Sequence, residues 1–145
     1  MGTKVSSVLK HKGNDVVTVA PQQTVAGVVK VLTQNRIGAV PVINEDGQLV
    51  GIISERDIIR GMSEHGEAVL KLPVDQLMTR DVKTCSSEDQ LVDLMEVMTL
   101  RRIRHLPVIH NGALHGIVSI GDVVKQRIEE VQSEAEELLR YIRSP

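Results

Sequence analysis

Gly38-Ala39-Val40-Pro41-Val42-Ile43, a short turn, and then Leu49-Val50-Gly51-Ile52-Ile53-Ser54-Glu55-Arg56-Asp57 decide the fold, because the stretch occurs twice. Its second copy is Arg104-His105-Leu106-Pro107-Val108-Ile109 followed by Leu114-His115-Gly116-Ile117-Val118-Ser119-Ile120-Gly121-Asp122. Working outward, a shift of 66 positions brings Asp15-Val16 onto Asp81-Val82, Thr18 onto Thr84, Arg36-Ile37 onto Arg102-Ile103 and Pro41-Val42-Ile43 onto Pro107-Val108-Ile109. One deletion changes the shift to 65, and Gly51-Ile52, Ser54 and Asp57 then meet Gly116-Ile117, Ser119 and Asp122. Ordered matches of this number mark an internal repeat.

Each half carries the same pattern of elements. A β-branched run comes first, Val16 to Val19 or Val82 to Cys85, and reads as a strand. Val25, Val28, Val29 and Leu32, like Leu91, Leu94, Met95 and Met98, then recur at the i, i+3, i+4, i+7 spacing of one helix face. Ser87 with Gln90 has capping-box spacing and predicts where the second of these helices starts. Two strands follow, joined through Asp46-Gly47 in the first half and Asn111-Gly112 in the second, and Asn-Gly supplies the positive φ angles of a tight hairpin. Another helix starts near Ser54 and its mate near Ser119. The fold class is therefore α/β, with each half β-α-β-β-α. A half of about 55 to 60 residues buries too little surface to be robust alone. The two halves are expected to pack with pseudo-twofold symmetry into one module. By sequence order the first motif with its N-terminal segment spans 1–66, the second motif 67–125, and a C-terminal helix 126–145. Glu67 to Leu72 is expected to add a short helix that Pro73 ends.

Composition excludes several function classes. The chain of 145 residues is 41% apolar and 25% charged, with net charge -2, which argues against bulk nucleic acid or an acidic membrane as an electrostatic partner. There is no Trp, no Phe and a single Tyr, Tyr141. Proteins that hold single strands usually stack bases on aromatic rings, so a base held here must lie between aliphatic side chains. The lone Cys85 cannot form an internal disulfide and fits a reducing compartment. Met1 to Lys12 has no apolar run suited to a signal peptide, and no run approaches the ~20 residues of a membrane helix. The expected location is the cytoplasm. His11, His65, His110 and His115 lack metal-ligand spacing, and neither a Ser-His-Asp assembly nor a phosphate-binding glycine loop is readable. With no positioned base, metal or nucleophile, an enzyme is not expected.

The two copies of the quoted stretch resemble CBS motifs, and Val74-Asp75-Gln76-Leu77-Met78-Thr79 resembles the segment that often precedes one. The resemblance extends from about Val5 to Lys125. It implies a two-motif (Bateman) module that binds an adenosine-containing ligand, AMP, ADP, ATP or NAD, in clefts between the motifs. Such modules usually regulate another protein. The regulated partner is then a separate protein, and two modules often pair as a disc, so a homodimer is expected.

Ser54 and Asp57 admit two compatible readings. They form a helix cap, with both groups favourable at the positive helix end, and the resemblance implies that they bind ribose. The same holds for Ser119 and Asp122. The resemblance further implies that Ser54 and Asp57 face Lys83, Ile103, Arg104 and His105, while Ser119 and Asp122 face Val17, Ile37, Gly38 and Ala39. Arg104 and His105 align with Gly38 and Ala39, so the sites are unequal. The guanidinium fork suits phosphate, which assigns the phosphorylated nucleotide to the Asp57 site and a weaker or different ligand to the Asp122 site. Arg56 either contacts phosphate or shields Asp57. The cluster Arg101, Arg102, Arg104 and His105 reads otherwise as a solvated patch or a dimer contact. Cys85 aligns with Val19 and is expected in a buried strand. Ile128, Val131, Ala135, Leu138 and Ile142 give the tail a helical stripe that either packs on its own module or meets a second copy; the second is favoured. The competing reading of the whole chain is a ligand-free dimeric scaffold.

Overall fold

Helix-period stripes, hairpin turns and caps fix most of the elements, seen in a computed structural model that describes residues 2–12 and 15–144. In chain order they are α1 (Val5–Lys12), α2 (Val25–Asn35), β1 (Ala39–Ile43), β2 (Leu49–Ser54), α3 (Glu55–His65), α4 (Leu91–Arg101), β3 (His105–His110), β4 (Ala113–Ser119) and α5 (Ile120–Arg143). Short 3₁₀ turns at Gly66–Lys71 and Val74–Gln76 lie between α3 and α4. The described residues fall into two compact units: the first holds 15–83 and 111–114, the second the described parts of 1–14, 84–110 and 115–145.

In the first unit Thr24 caps α2 by accepting the Gly27 N–H at 3.2 Å, and the helix buries Val25, Val28 and Leu32. Arg36 ends it in the left-handed region at φ 55°, a C-terminal signature that returns at Arg102, also at φ 55°, after α4. β1 and β2 pair antiparallel, from Ala39 opposite Ser54 to Ile43 opposite Leu49, with a register shift after Val42. Val40, Val42 and Ile53 of this hairpin join Val25, Val28 and Ile58 in one core. The second unit repeats this with β3–β4. Asn111 at φ 50° and Gly112 at φ 79° make the turn that the Asn-Gly pair predicts.

The segment before each motif packs in a way that sequence order does not suggest. Val69, Val74 and Met78, which lie just before the second motif, are buried in the first unit's core. Val5, Val8 and Leu9 of α1, counted above with the first half, are buried in the second unit's core with Leu91, Leu106 and Val118. The reason is complementarity of apolar faces: α1 presents these three residues on one side, and its backbone is tied at the entrance by Val5 N–H to Asp89 O and Ser6 N–H to Ser87 O, both 2.9 Å.

Two further expectations change. The runs Val16–Val19 and Val82–Cys85 do not form extended strands; only Val19 and Cys85 pair, each by an isolated parallel bridge, to Val42 and Val108. The chain turns away at once, at Pro21 in one case and at Ser86, whose N–H bonds Asp89 Oδ2 at 2.8 Å, in the other. Ser87 and Gln90 make no capping box: residues 86–89 close a turn of their own, the Asp89 N–H bonding the Ser86 carbonyl at 3.0 Å, and α4 starts only at Leu91 with Gln90 as an N-cap lacking a side-chain bond. α5 is one helix of 24 residues rather than a separate tail, and from Val131 to Ser144 every described residue is exposed.

Gly51 lies where β2 meets the Val74–Thr79 segment. A Cβ there would stand 2.5 Å from Met78 Sδ and 3.0 Å from the Thr79 carbonyl oxygen. The thioether can swing aside, but Thr79 is held by paired backbone bonds to Ile52 at 2.8 and 2.9 Å. Gly51→Ala is expected to destabilise the protein by about 1–3 kcal/mol, read as a lower urea midpoint; an unchanged midpoint would show that the segment yields freely.

Candidate functional site

The two Ser-x-x-Asp motifs form complete capping boxes at the entrances of α3 and α5. Each strand delivers its serine in extended backbone, so the hydroxyl meets the N–H three residues on while the aspartate carboxylate reaches back. In the first unit the Asp57 N–H donates to Ser54 Oγ at 3.3 Å, and Asp57 Oδ2 accepts the Ser54 N–H at 2.9 Å and the Ser54 hydroxyl at 3.1 Å. Thr79 donates its hydroxyl to Asp57 Oδ1 at 3.1 Å, and the Arg60 guanidinium lies 3.6 Å away. Asp57 is 4% exposed and is the buried charged residue among those described. Burial of a carboxylate is tolerable only with such donors around it.

In the second unit Ser119 and Asp122 repeat the box at 2.9 and 3.1 Å. The added partner is the Lys12 ammonium, 2.6 Å from Asp122 Oδ2, which also donates to the Ile117 carbonyl at 2.9 Å. Burial works to raise the Asp122 pKa, but the Lys12 hydrogen bond, the Ser119 N–H and the ammonium charge outweigh it and hold the carboxyl below its usual 3.8.

The other expected site residues gather beside these caps within each unit. Gly38 follows the turn out of α2, and its carbonyl accepts the Glu55 N–H at 2.9 Å, so Ile37, Gly38 and Ala39 adjoin Ser54, Arg56 and Asp57. In the same way Arg104 accepts the Ile120 N–H at 2.8 Å, which sets Ile103, Arg104 and His105 next to Ser119. Val17 is exposed, and Lys83 stands 3.5 Å from Asp81. Arg101, Arg102 and Arg104 are all exposed. A groove of about 490 Å³ on the first unit is lined by Val29, Arg36, Ile37, Gly38, Glu55 and Ile59 among others, but Asp57 is not part of its lining. Thr79 and Lys12 are the site neighbours that reading the sequence missed. Thr79 lies in the quoted Val74–Thr79 segment, and Lys12 stands opposite Met78 under the 66-residue shift, so the repeat itself carried a signal for both.

Chemistry elsewhere is limited. Burial, with Asp89's charge adding to it, pushes the Cys85 thiol up to about 12, which leaves it a thiol rather than a nucleophile at neutral pH. Among the described residues no cluster of three or more metal-ligating side chains occurs; the side chain of His11 lies outside the description. His110 is exposed and His115 is half-buried, their rings 5.5 Å apart. No described helix is long and apolar enough to cross a membrane.

Comparison with known proteins bears on this arrangement. The CBS domain family model matches residues 5–64 and 74–129. The mitochondrial CBS domain-containing protein CBSX3 of Arabidopsis thaliana is 36% identical over 97% of this chain and 72% of its own length. The crystal structure of a CBS-domain containing protein from Agrobacterium tumefaciens superposes with a TM-score of 0.85 at 44% identity, covering 88% of this chain and 95% of that one. The CBS domain pair of protein MJ0100, in complex with 5′-methylthioadenosine and S-adenosyl-L-methionine, shares the fold at a TM-score of 0.79 and 24% identity, over 90% of this chain and 99% of that one.

The depressed Asp122 pKa has a consequence for stability. The group contributes stability that is fully present above its unfolded value near 3.8 and is lost as pH falls through the lower folded value. Asp122→Asn is expected to be less stable than the parent by about 1–2 kcal/mol at pH 7, the sum of a cap and a partly exposed ion pair. The gap should close below pH 3.8. Urea titrations at a series of pH values measure it, and a gap independent of pH would contradict this account.

Proposed function

This chain belongs to the CBS domain family, and on that premise we propose that it is a regulatory module that binds an adenine nucleotide and conveys the binding event to a separate protein. The observation that carries the reading is the duplicated carboxylate at a capped helix entrance, Asp57 with Ser54 and Asp122 with Ser119. An ionised carboxylate in a fixed pose accepts from both hydroxyls of a ribose, and burial strengthens each such bond. The adenosine-containing ligands of the MJ0100 pair support the ligand class, and AMP, ADP, ATP and NAD are the members proposed here. Arg104 and His105, with Arg56 and Lys83, would serve the phosphates. Main-chain groups near Val17 and Lys83 and the aliphatic surroundings of Ile37, Gly38, Ala39 and Ile103 would receive the adenine. Cytoplasmic placement belongs to the same reading and draws on the unpaired thiol of Cys85.

A nucleotide bound by two hydroxyl-to-carboxylate bonds and a phosphate contact loses them separately. Asp57→Asn is expected to weaken AMP binding about 10- to 100-fold, the worth of about 1.5–3 kcal/mol for bonds to a charged group. Arg104→Ala should weaken AMP strongly and adenosine little. Calorimetry on both variants checks this, and equal losses for the two ligands in Arg104→Ala would remove the phosphate role.

The exposed face of α5 favours an added homodimeric assembly, which also serves the scaffold reading. Ile128, Val131, Leu138 and Ile142 are 53, 47, 60 and 66% exposed, and with Val124 and Ala135 they follow alternating steps of four and three, the spacing of a two-helix seam. Leu138→Lys is expected to convert a dimer to a monomer in light scattering; a parent protein that is already monomeric would refute the assembly.

A further inference from the structure

The duplicated carboxylates differ in a way that their own motifs do not explain. Asp57 accepts hydroxyl and amide donors from Ser54 and Thr79, with the exposed Arg60 guanidinium at 3.6 Å, whereas Asp122 Oδ2 is held by the ammonium of Lys12 at 2.6 Å. Lys12 stands where the repeat places Met78, 66 residues on. Met78 is buried against Gly51. Lys12 instead runs to the carbonyl of Ile117, the counterpart of Ile52, and on to Asp122. The helix that delivers the ammonium is fixed at its other end. Val5, Val8 and Leu9 are at most 4% exposed, and Lys4 pairs with Glu88 at 2.9 Å. The ammonium is thus aimed by the core. Its side chain is 37% exposed, and water lies within reach if it leaves the carboxylate.

Resting on the reading of Asp122 as a ribose-binding group, we propose that Lys12 is a specificity-determining residue of the second unit. Its ammonium occupies the carboxylate oxygen that a ribose diol would take, so a nucleoside gains that contact only by displacing Lys12. The Asp122 site therefore binds a neutral nucleoside more weakly than the Asp57 site, where the cation seen against the carboxylate, the Arg60 guanidinium, stands off at 3.6 Å on a side chain that is 60% exposed. The handicap is about two- to fivefold in affinity, the scale of a partly exposed ion pair. Nothing in the second motif encodes this difference, because the competitor comes from α1.

The test uses the full chain with Asp57→Asn, so that Asp122 carries the remaining ribose contact, and adenosine as a ligand without phosphate. Lys12→Met, which installs the residue of the other repeat, is expected to tighten adenosine binding about two- to fivefold in calorimetry, with a smaller gain for 2′-deoxyadenosine. Lys12→Gln should do the same if the methionine variant folds poorly, and Lys12→Arg should keep the weak binding. A merely structural ion pair predicts the opposite sign, because loosening α1 would weaken the site. Unchanged or weaker adenosine binding in Lys12→Met, with that binding abolished by adding Asp122→Asn, overturns the role of Lys12 and leaves the reading of Asp122 intact. Adenosine binding that survives loss of both carboxylates, or that is absent from every variant, overturns the reading of Asp122 and this proposal with it.

Discussion

A hairpin of two strands cannot shelter a core by itself. In each unit the hairpin carries one row of apolar side chains that must be covered, and the neighbouring elements are arranged around that need. A single bridging residue, Val19 or Cys85, extends the sheet on one side. The preceding and following helices cover the apolar face with Val28 and Ile58, or Leu94 and Val123. The remaining gap is closed by a segment that looks like linker: Val69, Val74 and Met78 in one unit, α1 in the other. The entrances of α3 and α5 inherit their positions from this packing. Ser54 ends β2 opposite Ala39, and the next amide is tied to Gly38, which leaves the capping carboxylate little freedom.

What could be read from the sequence follows from the range of the interactions involved. Hairpins, amphipathic helices and the boxes at Ser54 and Ser119 depend on residues within a few positions of one another, and local chemistry announces them. The Ser87–Gln90 spacing was equally local yet misled, because residues 86–89 close a turn of their own and the Ser87 carbonyl meets the Ser6 N–H of α1, more than eighty residues away. The runs Val16–Val19 and Val82–Cys85 have β-branched composition but a ladder one residue long, since β-propensity measures a fit to neighbours that here are nearly absent. The destination of α1 was legible only through Val8 and Val74, which occupy the same place in the repeat; by chain order it belonged elsewhere.

The site divides along the same line. That Ser54, Asp57, Ser119 and Asp122 stand at helix entrances was legible, and so was their adjacency to short backbone segments after α2 and α4. Their electrostatic differences were not. Asp57 is satisfied by Thr79 from a segment outside its motif, and Asp122 by Lys12 from another. Motif comparison sees two identical Ser-x-x-Asp pairs; the partners that tune them lie in the parts of the chain where the repeat has diverged.

That divergence bears on what a duplicated module can do. A ligand shifts an equilibrium only by its difference in affinity between states. Two sites with the same affinity fill over the same concentration range, so the second repeats the information in the first. On the proposed ribose reading, a carboxylate held by hydroxyl and amide donors with a guanidinium at 3.6 Å and one bonded to an ammonium at 2.6 Å would present different work to the same diol. In the first case the ligand would add to, or exchange with, bonds from neutral hydroxyl and amide donors; in the second it would have to displace a short bond to a cation. On that reading, separate filling ranges for a single ligand, or separate ligands, would follow from that exchange with no change in the motif itself. Divergence in flanking segments such as α1 is therefore a sufficient means of tuning a repeated site while the caps that hold the fold stay the same.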